Sequence, residues 1–259
     1  MPDRGALRFE GRTALVTGAS KGIGFSIAEA LAGEGAQVVL TGRQESTLAA
    51  AAALLGPRVS YVVGDMADPR TSERAVAHAV QVYGGLDLLV CNAGILIPGT
   101  VTHQPPAEVD RLISVNLRGT IACVQAAGPA LAEHGDAAIV VITSSIGRRA
   151  AAGMGVYGAT KAALHYLVPT WAIELSALGI RVNGLCAGIT DTPGLRMGAE
   201  AIPGLKDMVI ATNLIKRIAT AEEIAQPVMT LLDSASSGYV TGSIWDVDGG
   251  FRRASHVAA

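Results

Sequence analysis

The stretch TALVTGASKGIGFSIAEALA, residues 13–32, begins as an apolar run, turns through Gly18, Gly22 and Gly24, and continues as an alanine-rich helical pattern. That order predicts a strand, a tight glycine turn and a helix. Glycines at such a turn let the backbone bend sharply and approach a pyrophosphate, and the N–H groups at the helix start are free to receive the anion. Ser20, Lys21, Gly22, Ile23 and Gly24 form the loop and first helical turn, and with Gly18 are the expected cofactor contacts. The spacing is G-x3-G-x-G, which differs from the usual G-x-G-x-x-G fingerprint.

The same alternation recurs along the chain. Apolar runs stand at 13–18, 37–42, 59–65, 86–94, 137–145, 180–188 and 243–250, most of them rich in Val, Ile and Leu at successive positions. Runs without polar alternation suit strands covered on both faces. Helical patterns fill 23–34, 44–55, 70–83, 106–134, 155–178 and 220–233. Strand and helix in turn imply an α/β, Rossmann-like, doubly wound parallel sheet of about seven strands with helices on both faces. At 259 residues the chain is expected to form a single NAD(P)-binding domain over 1–259. The segment 189–219 breaks the rhythm with Pro193, Gly194, Gly198, Pro203 and Gly204. It is expected to be a substrate lid, and its apolar residues Met197, Ile202, Leu205, Met208 and Val209 suit a hydrophobic substrate, self-packing or a subunit contact.

Composition narrows the partners. A net charge of −2 offers no basic field for nucleic acid. No apolar run approaches the length of a membrane span, and MPDRGALRFEGR, residues 1–12, lacks the apolar segment of a secretory signal. The expectation is a soluble, cytoplasmic chain. Cys91, Cys123 and Cys186 lie apart in apolar surroundings and read as reduced core thiols. Neither they nor the five histidines cluster at ligand spacing, so no metal is expected.

The choice of dinucleotide rests on the end of the second strand. An NAD site places Asp or Glu there for the ribose 2′-hydroxyl, whereas a 2′-phosphate favours Arg. The strand ends VVLTGRQES, with Arg43 at its tip and no acid before Glu45, and Lys21 adds a cation from the glycine loop. NADP(H) is the expected cofactor and NAD the alternative. Asp65, with Met66 beside it, is placed to accept the adenine amino group, and Asn92, Ala93 and Gly94 form a small turn against the adenosine.

The chemistry is carried by SSIGRRAAAGMGVYGATK, residues 144–161. On a helix, Tyr157 and Lys161 are four apart and share a face. A phenol titrates near ~10, and an adjacent ammonium is expected to lower that value toward the range of a general acid or base. Ser144 ends the fifth strand thirteen residues before Tyr157 and can hold a substrate oxygen. Ser145 is expected to cap the loop. Arg148 and Arg149 follow, either in solvent or facing an anionic substrate or acyl carrier.

Together with SVNL at 114–117, IRVN at 180–183 and DGG at 248–250, these motifs make the chain resemble the compact, single-domain short-chain dehydrogenase/reductase family over nearly its whole length. The resemblance implies a nicotinamide-dependent oxidoreductase acting on a small carbonyl or alcohol, and a 3-oxoacyl thioester is one candidate substrate. It implies Tyr157 as acid/base, Ser144 as the substrate-oxygen donor, and Lys161 as holder of the nicotinamide ribose and tuner of the tyrosine. Asn116 would support a water relay from Lys161. It also implies contacts from Gly188, Ile189 and Thr192 on the nicotinamide side, and a homotetramer. Ala187 stands where the family has proline, so a looser loop is expected after it. Two alternatives stay open: an NAD-linked dehydrogenase of a sugar, steroid or polyol, and a dinucleotide sensor without turnover.

Overall fold

The structure is a computed structural model describing residues 7–201 and 204–251, with the side chains of 198, 199, 201, 205 and 209 outside the description. Seven parallel strands form one sheet in the order β3-β2-β1-β4-β5-β6-β7. They are β1 (Thr13–Val16), β2 (Gln37–Gly42), β3 (Val59–Val63), β4 (Leu88–Cys91), β5 (Ala137–Ser144), β6 (Ile180–Ala187) and β7 (Ile244–Val247). Each expected strand is present, and several end earlier than their apolar runs. Past the end of β4, Asn92 N–H bonds to the Thr17 hydroxyl at 3.0 Å instead of continuing the ladder. Such departures fall at the carboxyl ends, where the chain turns toward the site.

The order reverses direction between β1 and β4, and an open parallel sheet splays there into a crevice that binds ligands. Every residue of β1, β4 and β5 is buried, so both faces of the central sheet are covered. On one face, Ile27 and Leu31 of α1 (Gly22–Gly33) and Ile224 and Val228 of α9 (Ala221–Leu232) pack against Val16, Val38 and Val140. On the other, Ala79 of α3 (Pro69–Tyr83), Cys123 of α5 (Gly119–Ala132) and Leu164 and Val168 of α6 (Gly155–Leu175) pack against Leu15, Leu89 and Ile139. Each such aliphatic side chain contributes about 1.5–3 kcal/mol on burial.

Local signals set the helix limits. Asp68 caps α3 by accepting from Arg70 N–H, Pro69 fills the first turn, and Gly84 ends the helix at φ 87°. Thr220 and Glu223 form a reciprocal capping box at the start of α9. The remaining helix over the β2–β3 connection is α2 (Glu45–Leu55).

The pattern at 106–134 is not one uninterrupted α-helix. It is α4 (Pro106–Ile113), a π turn at Ser114–Arg118, and α5. A π turn accommodates one extra residue, and such turns concentrate at functional sites; Asn116 lies inside this one. Gly119 follows because a Cβ there would come within 2.3 Å of the Met66 carbonyl oxygen. The excursion at 189–219 contains α7 (Pro193–Ala201) and α8 (Leu205–Ala211) and closes on itself through a bridge between Thr190 and Ala219. Ile202 and Pro203 lie outside the described residues, as do the side chains of Leu205 and Val209. A final short helix, α10 (Ser234–Ser237), leads into β7. Among the described residues no helix is long and apolar enough to cross a membrane.

Candidate active site

The glycine loop and the turn after β4 are built into one another. The Thr17 hydroxyl accepts from Asn92 N–H and Ala93 N–H, each at 3.0 Å, and donates to the Val90 carbonyl at 3.3 Å. Asn92 Nδ2 returns bonds to the Thr17 and Gly18 carbonyls at 2.9 and 3.0 Å. Asn92 therefore shapes the loop with its side chain. Gly18 and Gly22 have φ of 65° and 60°, a region open to glycine. A Cβ on Gly18 would sit 2.8 Å from Ala93 Cα, and one on Gly24 would sit 2.4 Å from Asn92 Nδ2. At the start of α1, Lys21 provides no side-chain cap for the N–H groups around Gly22, Ile23 and Gly24. Half-buried Ser20 and exposed Lys21 flank them. This cradle fits a dinucleotide pyrophosphate.

At the outer end, Arg43 stands exposed just beyond β2. Asp65 is differently placed from the expectation of a free adenine acceptor. Its Oδ1 accepts from Ala67 N–H at 3.0 Å and its Oδ2 from Arg111 Nη2 at 2.5 Å. Partial burial pushes this carboxyl up. The bonds from Arg111 and Ala67, with the charges of Arg111 and Arg43, more than offset it and leave the pKa below the usual carboxylate value. Met66 is buried, its sulfur accepting from the Thr41 hydroxyl at 3.5 Å.

Ser144, Tyr157 and Lys161 converge where β5 ends and α6 begins. Ser144 faces Tyr157, and its Oγ also accepts from Ile146 N–H at 3.3 Å. The side-chain cap of the loop is thus Ser144; Ser145 contributes its carbonyl, to Arg148 N–H at 3.0 Å and Arg149 N–H at 3.1 Å. Gly147 presses on α6, since a Cβ there would lie 2.8 Å from the Lys161 carbonyl carbon.

The phenol is not lowered as the sequence suggested. Burial raises the Tyr157 pKa, the Ser144 hydroxyl opposes that, and Cys186 pushes it further up. Lys161 does not act on it here because its ammonium points elsewhere: Nζ donates to the Ile142 carbonyl at 3.0 Å. Asn116 pairs with the backbone of Ile95, accepting at 2.8 Å and donating at 2.9 Å, and also meets Thr160 Oγ1 at 3.3 Å. Gly94 lies between the two groups: a Cβ there would be 3.4 Å from both Asn116 Oδ1 and Lys161 Nζ.

Burial pulls Lys161 down to about 8, from 10.5. Below the folded value the lysine is charged in both states and the desolvation cost is fully present. Between about 8 and 10.5 the unfolded chain binds more protons, so stability rises with pH, by on the order of 3 kcal/mol once complete. We expect urea midpoints of the native chain to gain on those of Lys161→Met as pH rises through this window. Parallel pH profiles would exclude the buried ammonium.

On the opposite wall, Gly188 N–H bonds to the Val247 carbonyl at 2.9 Å, and a Cβ on Gly188 would lie 2.5 Å from Asp248 Cα. The segment after Ala187 is not loose at its backbone. Ile189 O accepts from Ala219 N–H at 3.1 Å and Asp191 N–H donates to Ala219 O at 2.8 Å. Thr192 Oγ1 accepts from Leu195 N–H at 3.3 Å, and its Cγ2 would lie 3.3 Å from a Cβ on Gly22. The nicotinamide-side loop thus meets the glycine loop.

Arg148 is exposed and Arg149 half-buried, and both have partners within the fold. Arg148 Nε lies 3.6 Å from Asp246 Oδ1, and Arg149 Nη1 donates to the Phe251 carbonyl at 2.9 Å. Thr17, Arg111 and Gly147 escaped the sequence reading. Thr17 carried a signal, standing directly before Gly18; Arg111 and Gly147 act across the fold and carried none.

Comparison with known proteins gives the family. The family profile described as Enoyl-(Acyl carrier protein) reductase matches residues 18–252. The 3-oxoacyl-[acyl-carrier-protein] reductase FabG of Thermotoga maritima is 32% identical over 247 residues, 94% of this chain and 99% of that protein. L-rhamnose 1-dehydrogenase (NAD(P)(+)) of Sphingomonas sp. (strain SKA58) is 36% identical over 247 residues, 93% of this chain and 96% of its own. A solved short chain dehydrogenase/reductase family protein superposes with a TM-score of 0.84 at 40% identity, covering 95% of this chain and 99% of that one. The chain belongs to the short-chain dehydrogenase/reductase family. It is accordingly an oxidoreductase of the class that binds a nicotinamide dinucleotide and acts on CH–OH donors and small-molecule substrates.

Proposed function

We propose that the chain is an NADP(H)-dependent carbonyl reductase and alcohol dehydrogenase, with a 3-oxoacyl thioester as its substrate. The observation that carries the chemistry is the facing of Ser144 and Tyr157 at the carboxyl ends of β5 and α6's first turns, beside the glycine cradle. When bound, the nicotinamide supplies or takes up the hydride. Tyr157 gives the proton to the substrate oxygen, or removes it in the reverse direction. Ser144 holds that oxygen, and Lys161 holds the nicotinamide ribose. Asn116 orders the 94–95 backbone and supports a relay of water toward Lys161.

Arg43 and Lys21, both exposed at the outer end of the cradle, with no acid in the chain from the end of β2 until Glu45, favour a 2′-phosphate. The FabG relative supports the thioester, while the rhamnose dehydrogenase relative keeps a sugar and NAD as the second reading. In this proposal the chain is one dinucleotide-binding unit and 189–219 its lid, with exposed Met197 and Met208 meeting an apolar substrate. A panel of 3-oxoacyl thioesters, simple ketones and sugars, run with both cofactors at the reduced-nicotinamide absorbance, tests this. Turnover of thioester with NADPH is expected; turnover confined to sugar with NAD would replace the first reading with the second.

We assign a homotetramer on two unpartnered faces. Tyr166 and Ile173, seven residues apart on α6, are 77% and 78% exposed. Among the described residues β7 pairs with β6 alone, beside a groove lined by Gln226, Thr230 and Trp245. A self-complementary contact at each face closes a tetramer. Light scattering should give four times the 26.4 kDa chain mass; a monomeric mass would contradict the assignment.

A further inference from the structure

The turn from Asp246 to Phe251, just beyond β7, gathers three segments that border the site. From the serine loop come Arg148, 3.6 Å from Asp246, and Arg149, which donates to the Phe251 carbonyl at 2.9 Å. The Arg149 guanidinium also lies over the Phe251 ring, 5.0 Å from its centroid. From the end of the lid, Leu214 N–H and Ile215 N–H both donate to the Gly249 carbonyl at 2.9 Å. From beyond β6, Gly188 lies against the Asp248 backbone.

The serine loop has few other fastenings. It is a single 3-10 turn over Ser145–Gly147, capped by the Ser144 side chain and pressed on α6 at Gly147. Its far end is held by the two arginines. The Arg148 and Asp246 side chains are 26% and 24% exposed, so their pairing is partly shielded from water and less screened than a surface ion pair. Arg149 combines a bond to a carbonyl with stacking on an aromatic face, two contacts that a planar guanidinium makes together. Phe251, the residue gripped, is itself buried.

Resting on the proposed oxidoreductase function, we propose that Arg148 and Arg149 are positioning residues that latch the serine loop to the β7 turn and keep the Ser144 hydroxyl against Tyr157. Both guanidinium groups have partners within the fold. Losing the latch loosens the root of the loop, and a displacement of catalytic groups by an ångström suffices to slow chemistry.

The test uses Arg148→Gln, Arg149→Gln, Arg148→Lys and Asp246→Asn, each assayed with one neutral and one anionic keto substrate and NADPH. Both glutamine variants should lower kcat about tenfold on both substrates, with KM held within about twofold. Arg148→Lys should recover most of the loss. Asp246→Asn should match Arg148→Gln, and the double variant should be no worse than either single one. NADPH binding by fluorescence and the thermal midpoint check that the variants fold. A KM rise confined to the anionic substrate would overturn the latch by placing the arginines on the substrate, and an unchanged kcat would overturn it by removing their positioning role. Absence of turnover by the unaltered chain on every substrate would instead overturn the proposed function, a failure visible before any variant is made.

Discussion

Tyr157→Phe should lower kcat by about three orders of magnitude, within the range observed for losing a positioned general acid or base, and leave dinucleotide binding nearly intact. The phenylalanine keeps the ring and removes only the hydroxyl that faces Ser144. The pH profile of the unaltered enzyme provides a second check. Because burial raises the phenol's pKa, Tyr157 is protonated at neutral pH and ready to donate. Carbonyl reduction should therefore be level through neutrality and fall as pH rises through the phenol's pKa, whereas alcohol oxidation should climb over the same interval. Turnover of the phenylalanine variant within tenfold of the native rate would remove Tyr157 from the chemistry. It would also revive a dinucleotide-binding protein whose function is not catalytic.

Arg43→Asp should weaken NADPH binding by about 10–100-fold, the range expected when a charge-assisted bond to phosphate is lost, while NADH binding holds or improves. Arg43 stands exposed at the tip of β2, so its removal disturbs no core contact and the thermal midpoint should stay near that of the native chain. Asp65, across the strand ends, feels the Arg43 charge but keeps its bonds from Arg111 and Ala67 when that charge is lost. Titrating both cofactors by nicotinamide fluorescence measures the effect. An unchanged NADPH affinity would mean that the 2′-phosphate is read elsewhere.

Much of this molecule is local in origin, and that much was legible from the residues. The strands are short apolar runs, and the helices between them begin and end at recognisable signals such as Asp68-Pro69, Gly84 and Thr220-Glu223. The glycine loop could be located because its conformation depends on residue type at three positions. What escaped prediction depends on direction rather than identity. Lys161 is one helical turn from Tyr157, as spacing requires, yet its ammonium turns to the Ile142 carbonyl. Asp65 has the right chemistry for adenine, but Arg111, forty-six residues later, occupies one of its oxygens. Arg148 and Arg149 looked like loop charges because their partners, Asp246 and Phe251, are about a hundred residues away. The break in the helical pattern at 114–118 left no mark either, since SVNLR fits an α-helix as well as a π turn.

That π turn keeps α4 and α5 in phase in a way that the side chains do not reveal. Successive residues of an α-helix are rotated by about 100°, and the wider turn at Ser114–Arg118 absorbs one extra residue without passing that rotation on to α5. Were the same residues to run straight as an uninterrupted α-helix, every residue of α5 would arrive rotated by about 100°, and Cys123, Val124, Ala127 and Leu131 would leave the core that they now fill. Deleting one residue from the segment would instead leave α5 in phase and remove the bulge that carries Asn116. The turn is in effect a phase correction for α5, with Asn116 mounted on it.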